Sequence, residues 1–249
     1  MSLIHEVNFP KEQIRQYGIA LISGFILSVF LSFYLFLRRG HYDLYIVNKV
    51  FAGVSLMLLG TIFLIGPFSR LYSRFDSWVM YRKEIGIIAF FFALLHSLIS
   101  FFFLPDKFPL TYFEKNILTF IFGLTAILVL IYLFILSFER VIKYLDRKRW
   151  WLVQNWGIRI AGLLVFLHVF IMKYPGWIKW YIQGGSSELA RPYLPPASLV
   201  VSVFAFYVIV VRLSEFFGEK IARIIVMISF ILLFFFLLIT FLWGGLNMT

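Results

Sequence analysis

Seven stretches of about 20 predominantly apolar residues, separated by short polar breaks, constrain this chain more than any other feature. Hydrocarbon offers no water to a backbone, so a segment that crosses it must satisfy its own amides, which a single run does as an α-helix. At 1.5 Å per residue, about 20 residues cross a hydrocarbon core of ~30 Å. The runs fall near 17–37, 44–66, 85–104, 117–138, 156–173, 197–217 and 222–243. They predict an all-α integral membrane bundle of about seven transmembrane helices, forming a single transmembrane domain over residues 1–249. Only 14% of the residues are charged and 62% are hydrophobic, against roughly 25% charged in a soluble domain. Membrane lipid is therefore the expected solvent. The first run exceeds the apolar core of a signal peptide and ends at Arg38-Arg39 with no small-residue cleavage site, so it is expected to remain as an anchor.

The loops sort the charge. On one side, the N-terminus and the loops after runs two, four and six carry Lys11, Arg15, Arg70, Arg74, Arg82, Lys83, Arg140, Lys143, Arg147, Lys148, Arg149, Arg212, Lys220 and Arg223. The other side holds half as many: Arg38, Arg39, Lys107, Lys115, Lys173, Lys179 and Arg191. The positive-inside rule then puts the N-terminus in the cytoplasm, and an odd number of spans puts the C-terminus outside. The net charge of +11 belongs to this topology and does not point to nucleic acid as a partner. With no cysteine, the chain has no disulfide, no c-type haem attachment, no cysteine-held iron–sulfur cluster and no thiol redox chemistry of its own. No loop is long enough to be a nicotinamide- or flavin-binding domain. The longest outer connection, about 174–196, holds Trp177, Trp180, Tyr181, Gly184-Gly185, Pro192, Pro195 and Pro196. It reads as an interfacial aromatic segment followed by a turn, serving as a membrane-surface anchor or as a docking surface for an external partner.

Two of the four histidines, His96 and His168, fall deep inside the third and fifth runs, where an ionisable group is costly and usually has a task. Each lies 12 residues beyond the start of its run, counted from Glu84 and Trp156, a rise of about 18 Å. Both runs head outward, so the imidazoles reach a similar depth, past the midplane. Matched depth on separate helices suits one metal between two axial ligands. Gly86, Ala89, Ala93 and Ser100 share the helical face of His96, while Gly157, Ala161 and Leu164 lead up to His168. Such residues leave a slot beside a flat macrocycle, and equally let helices pack closely in lipid. On spacing alone, the pair reads either as axial haem ligands or as two histidines bonding between helices.

The other candidates also have two readings each. His5 and His41 read as solvated surface residues. Lys49, about a turn inside the outer end of the second run, reads as a snorkelling side chain or as partner to a carboxylate such as a haem propionate. Arg159 lies one turn beyond Asn155 on the same face. It reads as snorkelling or, with Asn155, as the lining of an inner pocket for a quinone or a flavin such as FMN.

The stretch Gly66-Pro67, then Arg82-Lys83-Glu84-Ile85-Gly86, then Ala89-Phe90-Phe91-Phe92-Ala93-Leu94-Leu95-His96, resembles the core of the ferric reductase-like transmembrane domain family. Trp150 or Trp151, followed by Gln154-Asn155, Ala161-Gly162-Leu163-Leu164 and Leu167-His168, is similar to that family's later histidine helix. Within that family the chain resembles the MsrQ-type haem-binding membrane subunits of the bacterial periplasmic methionine sulfoxide reductase system. The resemblance covers about 50–173. It implies a six-helix core plus an extra helix, placement in a bacterial inner membrane, and b-type haem held between His96 and His168. The family commonly has another histidine about 13 residues before the later one. Asn155 stands there, and Lys83 or Arg82 stands at the matching place on the earlier helix, so one haem is the expected stoichiometry.

An iron with imidazole on both axial positions has no open site, which favours electron transfer over oxygenation. The expected donor is quinol or a separate cytoplasmic flavin reductase, and the expected acceptor lies on the outer face, such as a periplasmic oxidoreductase. Direct reduction of a ferric chelate is the rival within redox chemistry. A non-haem transporter or structural protein, with the histidines merely bridging helices, is the rival outside it. Only one carboxylate, Glu215 at the end of the sixth run, falls within the runs, and this scarcity of Asp and Glu counts against proton-coupled transport, while the lack of a lysine in the last run counts against a retinal Schiff base. The topology is testable: a reporter active only outside the cytoplasm is expected to be active when fused after the last residue and silent in the loop near 143–149. The opposite pattern would invert the charge-based orientation.

Overall fold

The computed structural model describes residues 11–247, and His5 lies outside the described residues. The order is α1 (Lys11–Arg39), α2 (Leu44–Leu71), a 3-10 turn (Ser73–Tyr81), α3 (Arg82–Leu98) and a π turn (Ile99–Phe103). Then come the short α4 (Leu110–Lys115), α5 (Ile117–Ile135), the short α6 (Glu139–Ile142), α7 (Arg147–Gln183), α8 (Ala197–Ser214) and α9 (Glu219–Asn247). No strand occurs among the described residues. Among the described residues, seven segments are long and apolar enough to cross a membrane, so the protein is an all-α membrane bundle with the expected number of spans. The face at which α1 begins is called here the near face, and its opposite the far face.

Helix α2 is the hub of the bundle. Ile46, Val50, Val54, Leu58, Ile62 and Ile65 recur at three- and four-residue steps and are almost fully buried, the stripe that a helix presents to a core. It packs against α1, α3 and α8. Between α2 and α3 the approach is close enough for the Ser55 hydroxyl to donate to the Ala89 carbonyl at 2.9 Å. α5 and α7 form a second tight pair, joined to α2 and α3 mainly by contacts between α3 and α5. α1 and α9 sit at the edge and turn apolar side chains outward, with Phe25 68% and Ile239 62% exposed, the inversion required when the solvent is lipid. Helix starts are set by short acidic caps: Asp43 accepts from the Ile46 amide at 2.8 Å and Asp146 from the Arg149 amide at 3.0 Å.

Two boundaries differ from the sequence expectation. The fifth span was expected over 156–173 with an interfacial segment beyond it. Instead α7 runs unbroken for 37 residues through Pro175 and ends where Gly184 takes a positive φ of 78°. The extra turns are held by protein. Trp177 donates to the Ser198 hydroxyl at 3.0 Å, Trp180 to the Pro192 carbonyl at 3.0 Å, and Tyr181 pairs with the Thr240 hydroxyl at 2.8 Å. With Trp177 5% and Trp180 2% exposed, these indoles are packed against protein at the far end. The third span also begins earlier than 85, because Glu84, read as preceding the run, lies in the first turn of α3 and is buried. A carboxylate therefore does sit inside the bundle at its near end.

Candidate functional site

His96 projects from the last full turn of α3 towards α2. Its Nδ1 lies 2.8 Å from the Asn48 side-chain oxygen and 3.2 Å from the Asn48 carbonyl oxygen. Both are acceptors, so Nδ1 carries the proton and Nε2 keeps its lone pair. Asn48 is 1% exposed, and its amide nitrogen donates to the Ser100 hydroxyl at 2.8 Å. Ser100 belongs to the π turn that follows α3. The widened turn keeps its hydroxyl beside Asn48 at the position from which the histidine is steered.

His168, on α7, repeats the arrangement with a different helix. Its Nδ1 donates to the Thr119 carbonyl at 2.8 Å. That carbonyl lies in α5, where its second lone pair is available beside the helix's own bond. One turn on is Gly123, where an added Cβ would stand 2.7 Å from Nδ1 and 2.8 Å from Cε1 of His168. The missing side chain lets the imidazole lie flat on α5 and reach Thr119. Both histidines thus present the same tautomer, with Nδ1 tied to an oxygen and Nε2 carrying the free lone pair. The two rings are near enough for a charge on one to be felt at the other.

A layer of cations stands on the far-face side of the rings. Lys173, five residues beyond His168, acts electrostatically on both imidazoles, on Lys49 and on Arg39. The Lys49 ammonium sits 3.9 Å above the Tyr45 ring, and Arg39 and Lys107 approach the same ring at 5.3 and 6.0 Å. Asp43 is the carboxylate that acts on this group, and one of its oxygens lies 3.8 Å from the His41 Nε2. The Nε of Arg39 is buried without a hydrogen-bond partner. Lys49 therefore sits among protein groups and faces a surplus of positive charge.

The small residues named from sequence lie around this site in different ways. Ala89 is fully buried against α2, and a Cβ at Gly86 would meet Ile62 of α2 at 3.5 Å. Ala93 packs at the edge of the same core, and Ala161 of α7 is fully buried within it. Gly86 and Ala89 thereby allow the α2–α3 approach that puts Asn48 beside His96. Asn155 and Arg159 stand apart from the histidines, towards the near end of α7. Arg159 lines a groove of about 450 Å³ between α2, α7 and α8, and Asn155 is not among the residues lining it.

Asn48, Thr119, Gly123 and Lys173 were missed as site residues in the sequence. Asn48 had a signal, being an amide inside an apolar run. Gly123 had a weaker one, as the glycine interrupting the fourth run. Thr119 contributes only its backbone, which no side-chain pattern reveals.

Comparison with known proteins gives two findings. The model of the family described as ferric reductase like transmembrane component matches residues 50–165, from α2 into α7, including His96 and stopping three residues short of His168. Metalloreductase STEAP3 of Rattus norvegicus is 37% identical to this chain over 68 residues, which is 22% of this chain and 14% of that protein. The chain therefore spans only a small part of that relative's length.

Gly123→Ala is expected to push His168 off the Thr119 carbonyl and to cost about 1–3 kcal/mol by overpacking. A clearly lower thermal midpoint in detergent than for Gly18→Ala, where an added Cβ meets nothing within 4 Å, checks this. Equal midpoints would show that the imidazole is not confined.

Proposed function

We propose that this chain is a membrane electron-transfer subunit of the oxidoreductase type, MsrQ-like, in which His96 and His168 hold one haem b. Electrons come from quinol or a separate flavin reductase at the near, cytoplasmic face. They leave to an acceptor at the far face of a bacterial inner membrane, such as a periplasmic oxidoreductase. The observation that carries this reading is the matched pair of imidazoles, each with Nδ1 occupied by an oxygen and Nε2 left as a donor. Ligating histidines are characteristically fixed in this way. Among the described residues, no group of three or more His, Cys, Asp or Glu could hold a bare metal ion. Two imidazoles suit instead an iron whose remaining ligands come from a porphyrin.

When bound, haem b with two imidazole ligands supplies a one-electron couple with no open coordination position. The chain's own residues set the terms for it. Asn48 and Thr119 hold the Nδ1 protons, which fixes each ring's orientation and makes Nε2 the more basic atom. Lys49 and Lys173 stand where carboxylates of a bound cofactor relieve their mutual repulsion, the functional alternative to snorkelling. Gly86, Ala89, Ala93 and Ala161 keep side-chain bulk away from the helices that carry the ligands. A second reading, favoured by the metalloreductase name of the rat relative and by the far-face cations, makes a ferric chelate the final acceptor.

Spectra of the solubilised protein test the proposal. The reduced protein is expected to show the α-band of a b-type haem, and His96→Ala and His168→Ala are each expected to lose it. Wild-type protein made with ample haem but purified without it would sink the proposal. Asn48→Leu keeps His96 but removes its side-chain anchor, and is expected to weaken haem binding by about 10–100-fold in a titration. Unchanged affinity would mean that the Asn48 bond does not serve ligation.

A further inference from the structure

The groove at the near end of α7 is separate from the histidine site. Its floor and walls are apolar, formed by residues such as Leu59 and Phe63 of α2, Phe166 of α7 and Val208 of α8. Its near-face end gathers Arg70, Arg159 and Arg212, and Arg82 stands close enough to act on the last two. One carboxylate answers them: Glu215 pairs with Arg212 at 2.8 Å and also with Arg70. Arg159 has no ion-pair partner among the described residues, its nearest compensation being the Trp156 ring at 5.2 Å, and its Nε is buried without a hydrogen bond. At the mouth, Leu163 is 58% and Phe216 86% exposed. In a chain that crosses a bilayer, such residues face acyl chains.

We infer that this groove binds an anionic phospholipid of the near leaflet, its phosphate held by Arg159 and Arg212 and one acyl chain lying along the apolar walls. The charge count selects the occupant. Three guanidiniums line the groove against the one lining carboxylate, Glu215; Arg70 is exposed, but Arg159 and Arg212 reach inside, and the excess they leave there is relieved by an anion and not by a neutral headgroup. Guanidinium presents paired donors suited to phosphate oxygens, and the unpartnered Nε of Arg159 supplies one more. The order of the lining also fits. Charge sits at the level of the lipid headgroups, and apolar wall runs from there towards the midplane. A quinol brings the tail without the charge. A free flavin nucleotide brings phosphate, but its polar ring edge finds only aliphatic and aromatic walls. Neither histidine lines the groove, so the inference stands independently of the haem assignment.

The full chain, in neutral-detergent micelles doped with phosphatidylglycerol or with phosphatidylcholine, can be examined by native mass spectrometry. Wild-type protein is expected to retain one phosphatidylglycerol in clear preference to phosphatidylcholine. Arg159→Gln combined with Arg212→Gln is expected to lower that retention by about thirtyfold, two basic contacts' worth. Millimolar inorganic phosphate alone is expected to leave the lipid in place, because it lacks the chain that fills the apolar wall. Equal retention of the two lipids by wild-type protein overturns the inference even if the double variant fails to fold. So does full displacement by a short-tailed neutral quinone, which would assign the groove to a quinol, or by phosphate alone, which would assign it to a soluble anion. The α-band of the same wild-type preparation reports separately on the histidine site.

Discussion

Each of the two part-buried imidazoles is held by an oxygen from a helix other than its own, and the arrangement of the bundle follows from that constraint. Asn48 of α2 holds the ring on α3, and the Thr119 carbonyl of α5 holds the ring on α7. Inside hydrocarbon, a polar ring without such a partner costs several kcal/mol, so each bond selects one helix pairing over a slipped one. The two pairs that carry these bonds, α2 with α3 and α5 with α7, are also the most extensively packed in the molecule. The glycine and alanine positions at these contacts make the bonds possible by letting the backbones approach.

Positive charge is concentrated in two layers of the bundle, each only partly met by carboxylates. The far-face layer, Arg39, Lys49 and Lys173, adjoins the histidines. In the near-face layer, Arg70, Arg159 and Arg212 line the groove, Arg82 acts on Arg212 from α3, and Glu215 pairs with Arg70 and Arg212. In each layer the cations outnumber the carboxylates that meet them, Asp43 in one and Glu215 in the other. A surplus cation in low dielectric is costly. The anions proposed to relieve the two layers differ: carboxylates of a cofactor in one case, a lipid phosphate in the other.

Much of this was readable in the residues. Seven apolar runs gave the number of spans, because length and hydropathy dictate crossing independently of packing. That His96 and His168 lie 12 residues into their runs, and so at a matched expected level, is read from helical rise alone. The helix ends did not follow. Pro175 and the aromatic residues after it look like the end of a span, yet indole and phenol hydrogen bonds to Ser198, Pro192 and Thr240 come from distant parts of the chain and carry α7 onward. The small-residue stripe in α3 was visible, but its two meanings were separable only once α2 was seen against Gly86 and Ala89. Thr119 was beyond reach, since a carbonyl oxygen is common to every residue.

The length of α7 fixes what the lipid is allowed to decide. At 37 residues the rod measures about 55 Å, well beyond a hydrocarbon core of about 30 Å. Its far end is clamped by buried tryptophans and its middle by Thr119, both protein contacts. A span free in lipid adjusts tilt and height to membrane thickness. This one is registered against its neighbours, so His168 keeps its level when the bilayer thins or swells, and the lipid does the adjusting.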